Sequence, residues 1–165
     1  TLNFLSSNVT GDEDGNLYVV WIDDVDLNPR LAYSKDRGAT WSAPINVGAP
    51  GVRASSCVNA SVKRPGYVAI AYYGSPQAEA TGNGHTVNDM RPYDAYLTVS
   101  TNVFAERPLF WSASVNTPGK PAVPGLDLLV SEYVGAPAFG PDGSIWIGVL
   151  QDYMGLVGRM MAPPE

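Results

Sequence analysis

Short apolar runs rich in Val, Ile, Tyr and Trp, each bounded by turn residues, succeed one another along the chain. Three are built alike: DGNLYVVWIDD from Asp14, PGYVAIAYYGS from Pro65 and DGSIWIGVLQD from Asp142. In each, a turn closes on glycine (Gly15, Gly66, Gly143), a β-prone run follows, and polar residues or small ones end it. Branched and aromatic side chains suit the pleated, half-buried surface of a sheet, so the pattern predicts strands. No stretch keeps an apolar i, i+3, i+4 stripe free of Gly and Pro, and no helix is predicted.

Further strands fit around these runs. SSNVT (6–10), SSCVNASV (55–62) and YVGAPAF (133–139) precede them; RLAYS (30–34), AYLTVS (95–100) and GLVGRMM (155–161) follow. WSAPIN at 41–46 returns as WSASVN at 111–116. The repeating unit is therefore four consecutive strands, A to D, and the spacing predicts an all-β fold of about three four-stranded antiparallel β-propeller blades. They form one partial propeller domain over 1–165, with blades at about 1–48, 49–118 and 119–165, the last without its strand D. Three blades do not close a ring, and an open end leaves a sheet face uncovered. The expected partners are further blades of a longer chain, a second copy completing a six-bladed ring, or a different chain.

One octapeptide is more specific. Ser34-Lys35-Asp36-Arg37-Gly38-Ala39-Thr40-Trp41 reads S-x-D-x-G-x-T-W. Asp36 is suited to accept hydrogen bonds from the amides of its own turn, and Gly38 to take positive φ. Trp41 is expected to fold back as an apolar plug. These residues resemble the Asp-box, or BNR repeat, of sialidases and related propellers. The run through LAYSKDRGATWSAP and VAIAYYGS is similar to bacterial secreted sialidase-like proteins of that type. Blade two carries a worn version, Ser100-Thr101-Asn102-Val103-Phe104, without the Asp or the Gly.

Strand direction sorts the loops. A–B and C–D turns share one end, which makes the Asp-box end structural; B–C and D–A connections share the other. The long connections (22–29, 48–55, 75–94 and 117–132) lie on that second rim, where sites are commonly grafted onto a rigid scaffold. Candidate ligand residues there are Asp24, Arg53, Arg91, Tyr93, Glu132 and Tyr153, with Asp23 beside them. Arg53 and Arg91 have the chemistry to bind a carboxylate. Tyr72 and Tyr73 end a strand B, where they either pack or line a central channel.

The resemblance implies a secreted or cell-surface propeller that handles glycans. Sialidases of the family use a Tyr nucleophile assisted by Glu, an Asp acid/base and three Arg residues. This chain lacks the family's early Arg-Ile-Pro motif and its late nucleophile segment, and Tyr153 is followed by Met154. Its catalytic residues are thus unassigned. The expected function is an extracellular glycan- or protein-binding scaffold with no complete active site. The resemblance leaves open half of an exo-sialidase-type glycoside hydrolase, with catalytic residues mainly in further blades, and also a purely structural stack.

A net charge of -6 argues against nucleic acid and anionic membrane partners, which require basic patches. No apolar run is long enough for a helical membrane span. Cys57, the single cysteine, has no internal disulfide partner and reads as a buried thiol. His85, the single histidine, reads as a solvated loop residue. Asp12, Asp14 and Asn16 imitate the start of a calcium loop, but the downstream Glu is missing and a hairpin turn explains them. No metal and no cofactor is expected. Asn8-Val9-Thr10 and Asn59-Ala60-Ser61 fit a glycosylation sequon, yet both fall on strands.

Overall fold

A computed structural model describes residues 7–78, 91–124, 133–151 and 154–161. The described residues form β-strands, turns and loops, with no helix. Three antiparallel sheets follow one another in chain order. The first runs β1 (Ser7–Gly11), β2 (Leu17–Ile22), β3 (Pro29–Ser34), β4 (Ile45–Asn46). The second runs β5 (Ala54–Arg64), β6 (Tyr67–Ser75), β7 (Pro92–Ser100), β8 (Trp111–Ser114), with β9 (Val123–Pro124) added beside β7. In the third, β10 (Tyr133–Val134) and β11 (Ala138–Phe139) share one edge of β12 (Ser144–Gln151), and β13 (Met154–Met161) takes the other.

Local chemistry explains the departures from the expected strands. Only Ile45–Asn46 of WSAPIN is strand, because Pro44 has no amide to donate to the ladder. Ser42 still holds on by a bond from its amide to the Tyr33 carbonyl (2.8 Å). The expected strand at 133–139 is broken at Gly135-Ala136-Pro137, and its register against β12 slips by one residue there. The same slip occurs in β5 between Ser56 and Asn59, a bulge in which Cys57 takes φ of 52°. Strand β9 is not foreshadowed in the sequence: Tyr93 pairs with Val123 and Pro92 with Pro124.

The sheets lie face to face. Tyr18, Val20, Ile22 and Leu31 of the first meet Val68, Ile70 and Tyr72 of the second. Tyr67, Ala69, Ala71, Tyr73 and Leu97, on the second sheet's other face, meet Val134, Ile145 and Ile147 of the third. The middle sheet is therefore covered on both sides, and every residue of β6 is buried. That is why β6 reads as a near-continuous apolar run, whereas β2, covered on one side, alternates. Side chains also tie one sheet to the next. The Tyr18 hydroxyl accepts from the Gly66 amide (2.9 Å) and donates to Asp12 (2.7 Å). The Asn59 side-chain amide donates to the Val134 carbonyl (3.4 Å).

Candidate functional site

The two ends of the stack are built differently. At one end the 12–15 turn and the 35–40 turn adjoin: a Cβ on Gly15 would stand 3.4 Å from the Arg37 guanidinium. The Asp36 carboxylate accepts from the Thr40 amide (2.8 Å), the Thr40 hydroxyl (2.6 Å) and the Ser34 hydroxyl (2.7 Å). The Gly38 amide donates to Ser34 Oγ (2.8 Å), and Gly38 takes φ of 94°. The Thr40 hydroxyl and amide, then Ser34, hold the Asp36 carboxyl down at about 2. Trp41 is not the expected plug. It is 44% exposed, because among the described residues no sheet is stacked on the face it lies beside, that of Leu17.

The worn turn at 100–104 keeps the same wiring with an amide in place of the acid. Asn102 Oδ1 accepts from the Leu109 amide (3.0 Å) and from the Ser100 hydroxyl (3.3 Å). Phe104 then reaches across to the first sheet, stacking on Tyr18 at 5.8 Å and meeting Tyr33 edge-on at 4.9 Å. Asp12, which begins the calcium-like run, accepts with its carboxylate from the Asp14 and Asn16 amides, the Asn16 side chain and the Tyr18 hydroxyl. Burial pushes that carboxyl up, but the bonds from Tyr18 and Asn16 outweigh it and leave it below its ordinary value.

A pH prediction follows from Asp36. Its folded pKa lies below the unfolded value of about 3.9, so its stabilisation is present above pH 4 or so and fades as pH falls through about 2. Asp36→Ala is expected to lower the melting temperature near neutral pH and to shrink its pH dependence in that acid window. Thermal melts from neutral to acid pH check this; wild type and variant melting alike near neutrality would refute the role.

At the opposite end lie 22–30, 46–53, 75–78, 91–95 and 115–123. In the first loop Asp23 Oδ1 accepts from the Val25 amide (2.9 Å), and Leu27 turns inward with φ of 54°. Arg30 pairs with Asp26 and stands 3.9 Å from Asp23, which ties both acids to the scaffold. Asp24 is exposed, and beside it Val25 is 93% exposed. Arg53 is exposed as well, its backbone fixed by the amide bond to the Ser75 carbonyl (2.8 Å).

Other candidates fall elsewhere. Tyr93 is fully buried between the second and third sheets, because pairing with Val123 draws it inward, and it offers no ligand surface. Arg91 lies over the Tyr93 ring (5.4 Å to its centroid) and is only 9% exposed, donating to the Gln77 carbonyl at 3.5 Å. Tyr72 and Tyr73 are core residues. Glu132, Tyr153 and His85 lie outside the described residues.

Asn116 was missed, although the WSAPIN/WSASVN repeat marks its position. It accepts from the Ala95 amide (3.0 Å) and donates to Asp94 (2.8 Å) and to the Lys120 carbonyl (2.9 Å), pinning the connection to the third sheet. Its counterpart Asn46 accepts from the Gly48 amide (2.9 Å). The described rim thus presents fixed hydrogen-bonding and charged groups on stiff loops. Among the described residues, no group of three or more His, Cys, Asp or Glu side chains is placed to hold a metal ion. No protein-family model matches this chain, and no curated protein sequence matches it either.

Proposed function

We propose that the three sheets are consecutive blades of a propeller of the Asp-box type, and that the chain is a binding scaffold that takes glycan on the 22–30, 46–53 rim. The observation that carries this reading is the one-way stacking of the sheets in chain order, each laid flat on the last, with the Ser34–Trp41 turn tying off a C–D hairpin at one end. Radial repetition of four-stranded sheets is how propellers are built. The exposed Asp24 and Arg53 supply charged groups suited to polar sugars, and the tied loops around them reduce the ordering cost of binding. No residue is given a catalytic role, and the proposed setting is extracellular.

The test is a glycan array together with a fluorogenic sialoside, applied to the chain and to Arg53→Ala. Binding without turnover is expected, weakened in the variant. Turnover by the chain would move the reading to a glycoside hydrolase, and a blank array would remove the ligand class.

A further inference from the structure

The middle sheet carries an aromatic pair close to the rim. Tyr72 and Tyr96 are paired in register on β6 and β7, and their rings stack at 5.6 Å, 9° from parallel. Tyr72 is fully buried, whereas Tyr96 is partly exposed. The row nearer the rim is Ser55, Gly74 and Asp94, paired across β5, β6 and β7. Residues two apart on a strand share a face, so Asp94 and Tyr96 point the same way. Gly74 leaves room between them: a Cβ there would stand 2.8 Å from the Tyr96 ring and 3.1 Å from Val52. The ring therefore leans over Gly74 toward the rim and adjoins the 46–53 loop.

Asp94 is fixed in place. Its Oδ1 accepts from the Asn116 side chain (2.8 Å), and Asn116 is itself held by the Ala95 amide and the Lys120 carbonyl. Among the described residues no donor reaches Asp94 Oδ2 and no cation pairs with this half-buried carboxylate. Burial raises the Tyr96 phenol above its ordinary value and the Asp94 charge adds to it, which keeps the ring neutral beside the carboxylate.

We infer that Tyr96 and Asp94 form a subsite for a neutral pyranose, with the C–H face of the sugar on the Tyr96 ring and its hydroxyls donating to Asp94 Oδ2. The face of an aromatic ring is its negative side and attracts the slightly positive C–H hydrogens. A hydrogen bond to a carboxylate is roughly twice as strong as one between neutral groups. Both groups are held before the sugar arrives, the ring by Tyr72 and the carboxylate by Asn116, so little ordering is lost on binding. An acidic sugar would bring a second negative charge against Asp94, which restricts the class to neutral ones. The inference rests on the glycan reading of this rim, and adds the sugar class and the residues that touch it.

Titration with methyl hexopyranosides and with the matching methyl hexuronides, followed by saturation-transfer NMR, tests it on the chain, Tyr96→Phe, Tyr96→Leu, Asp94→Asn and Arg53→Ala. The neutral glycosides are expected to bind, and the hexuronides at least about tenfold more weakly. Tyr96→Leu and Asp94→Asn should each cost at least about tenfold in affinity for the neutral sugar, while Tyr96→Phe keeps the ring and the binding. Asp94→Asn should also narrow the gap between neutral and acidic sugars. It retains an oxygen for Asn116, so it tests the subsite even if Tyr96→Leu does not fold, which circular dichroism reports. No binding of a neutral glycoside overturns the inference, as do hexuronides bound equally well or affinity indifferent to Tyr96→Leu and Asp94→Asn. Binding lost with Arg53→Ala alone would leave the proposed rim standing while this inference fails; binding lost with Tyr96→Leu and Asp94→Asn alone would do the reverse.

Discussion

Cutting Tyr18 back to alanine is expected to destabilise the chain by about 3–5 kcal/mol, the usual penalty for emptying a buried aromatic site. Tyr18 is fully buried between the first two sheets, stacked on Phe104. Its hydroxyl adds a second contribution: it accepts from the Gly66 amide and donates to Asp12, joining the A–B turns of both sheets. Tyr18→Phe keeps the ring and leaves the Gly66 amide without that acceptor, which is expected to cost about 1–3 kcal/mol. Burial, with Asp12 adding to it, holds the phenol above its ordinary pKa, so the bond persists through the physiological pH range. Urea unfolding of the two variants separates ring from hydroxyl, and hydrogen exchange at Gly66 reports the bond directly. A Phe variant as stable as the parent, with Gly66 still protected, would show that the turns are joined by packing alone.

Much of the fold was legible because its turns are local. Gly15, Gly66 and Gly143 all take positive φ, near 80°, and each opens a strand B within a residue or two of its expected place. The Ser34–Trp41 turn was readable for the same reason: its donors and acceptors all lie within a few residues of Asp36. What the sequence hid depends on distant partners. The β6 run carries no alternation because both of its faces are buried, so nothing in it says which face meets which sheet. Arg91 and Tyr93 looked like rim residues because they follow a long polar connection, but a pairing with Val123, far along the chain, turns Tyr93 into core. The 100–104 turn reads as worn because the template asks for an acid, whereas the turn asks only for an oxygen at that point, which Asn102 supplies. The bulge at Cys57 likewise has no marker, since its strained φ belongs to a residue with no special preference for it.

Tyr72 links the core to the rim, and its variants test whether the two are coupled. Its ring stacks on Tyr96 at 5.6 Å, and its hydroxyl accepts from the Ala49 amide at 2.7 Å. The chain of bonds runs on through Thr98 Oγ1 (3.4 Å) to Ser112 Oγ (2.8 Å), crossing the second sheet. Burial pushes the phenol up to about 12, against the opposing pull of Thr98 and Ala49, so it stays neutral and available as an acceptor. Tyr72→Ala is expected to lose about 3–5 kcal/mol through the vacated core. Tyr72→Phe is expected to lose about 1–3 kcal/mol, because the Ala49 amide is left without its buried acceptor. The second effect reaches further than stability. Ala49 opens the connection that ends at Arg53, the exposed cation for which a ligand role is proposed. Freeing Ala49 should loosen that path and weaken glycan binding in the Phe variant, although Tyr72 itself touches no ligand. Asp36→Ala, at the other end of the sheets, should lower stability and leave binding as it was. The opposite pattern, binding lost with Asp36 and retained with Tyr72→Phe, would mean that the ends have been assigned the wrong way round. Binding retained in both would mean that the Val52-to-Ala49 and Arg53-to-Ser75 backbone bonds hold the rim unaided.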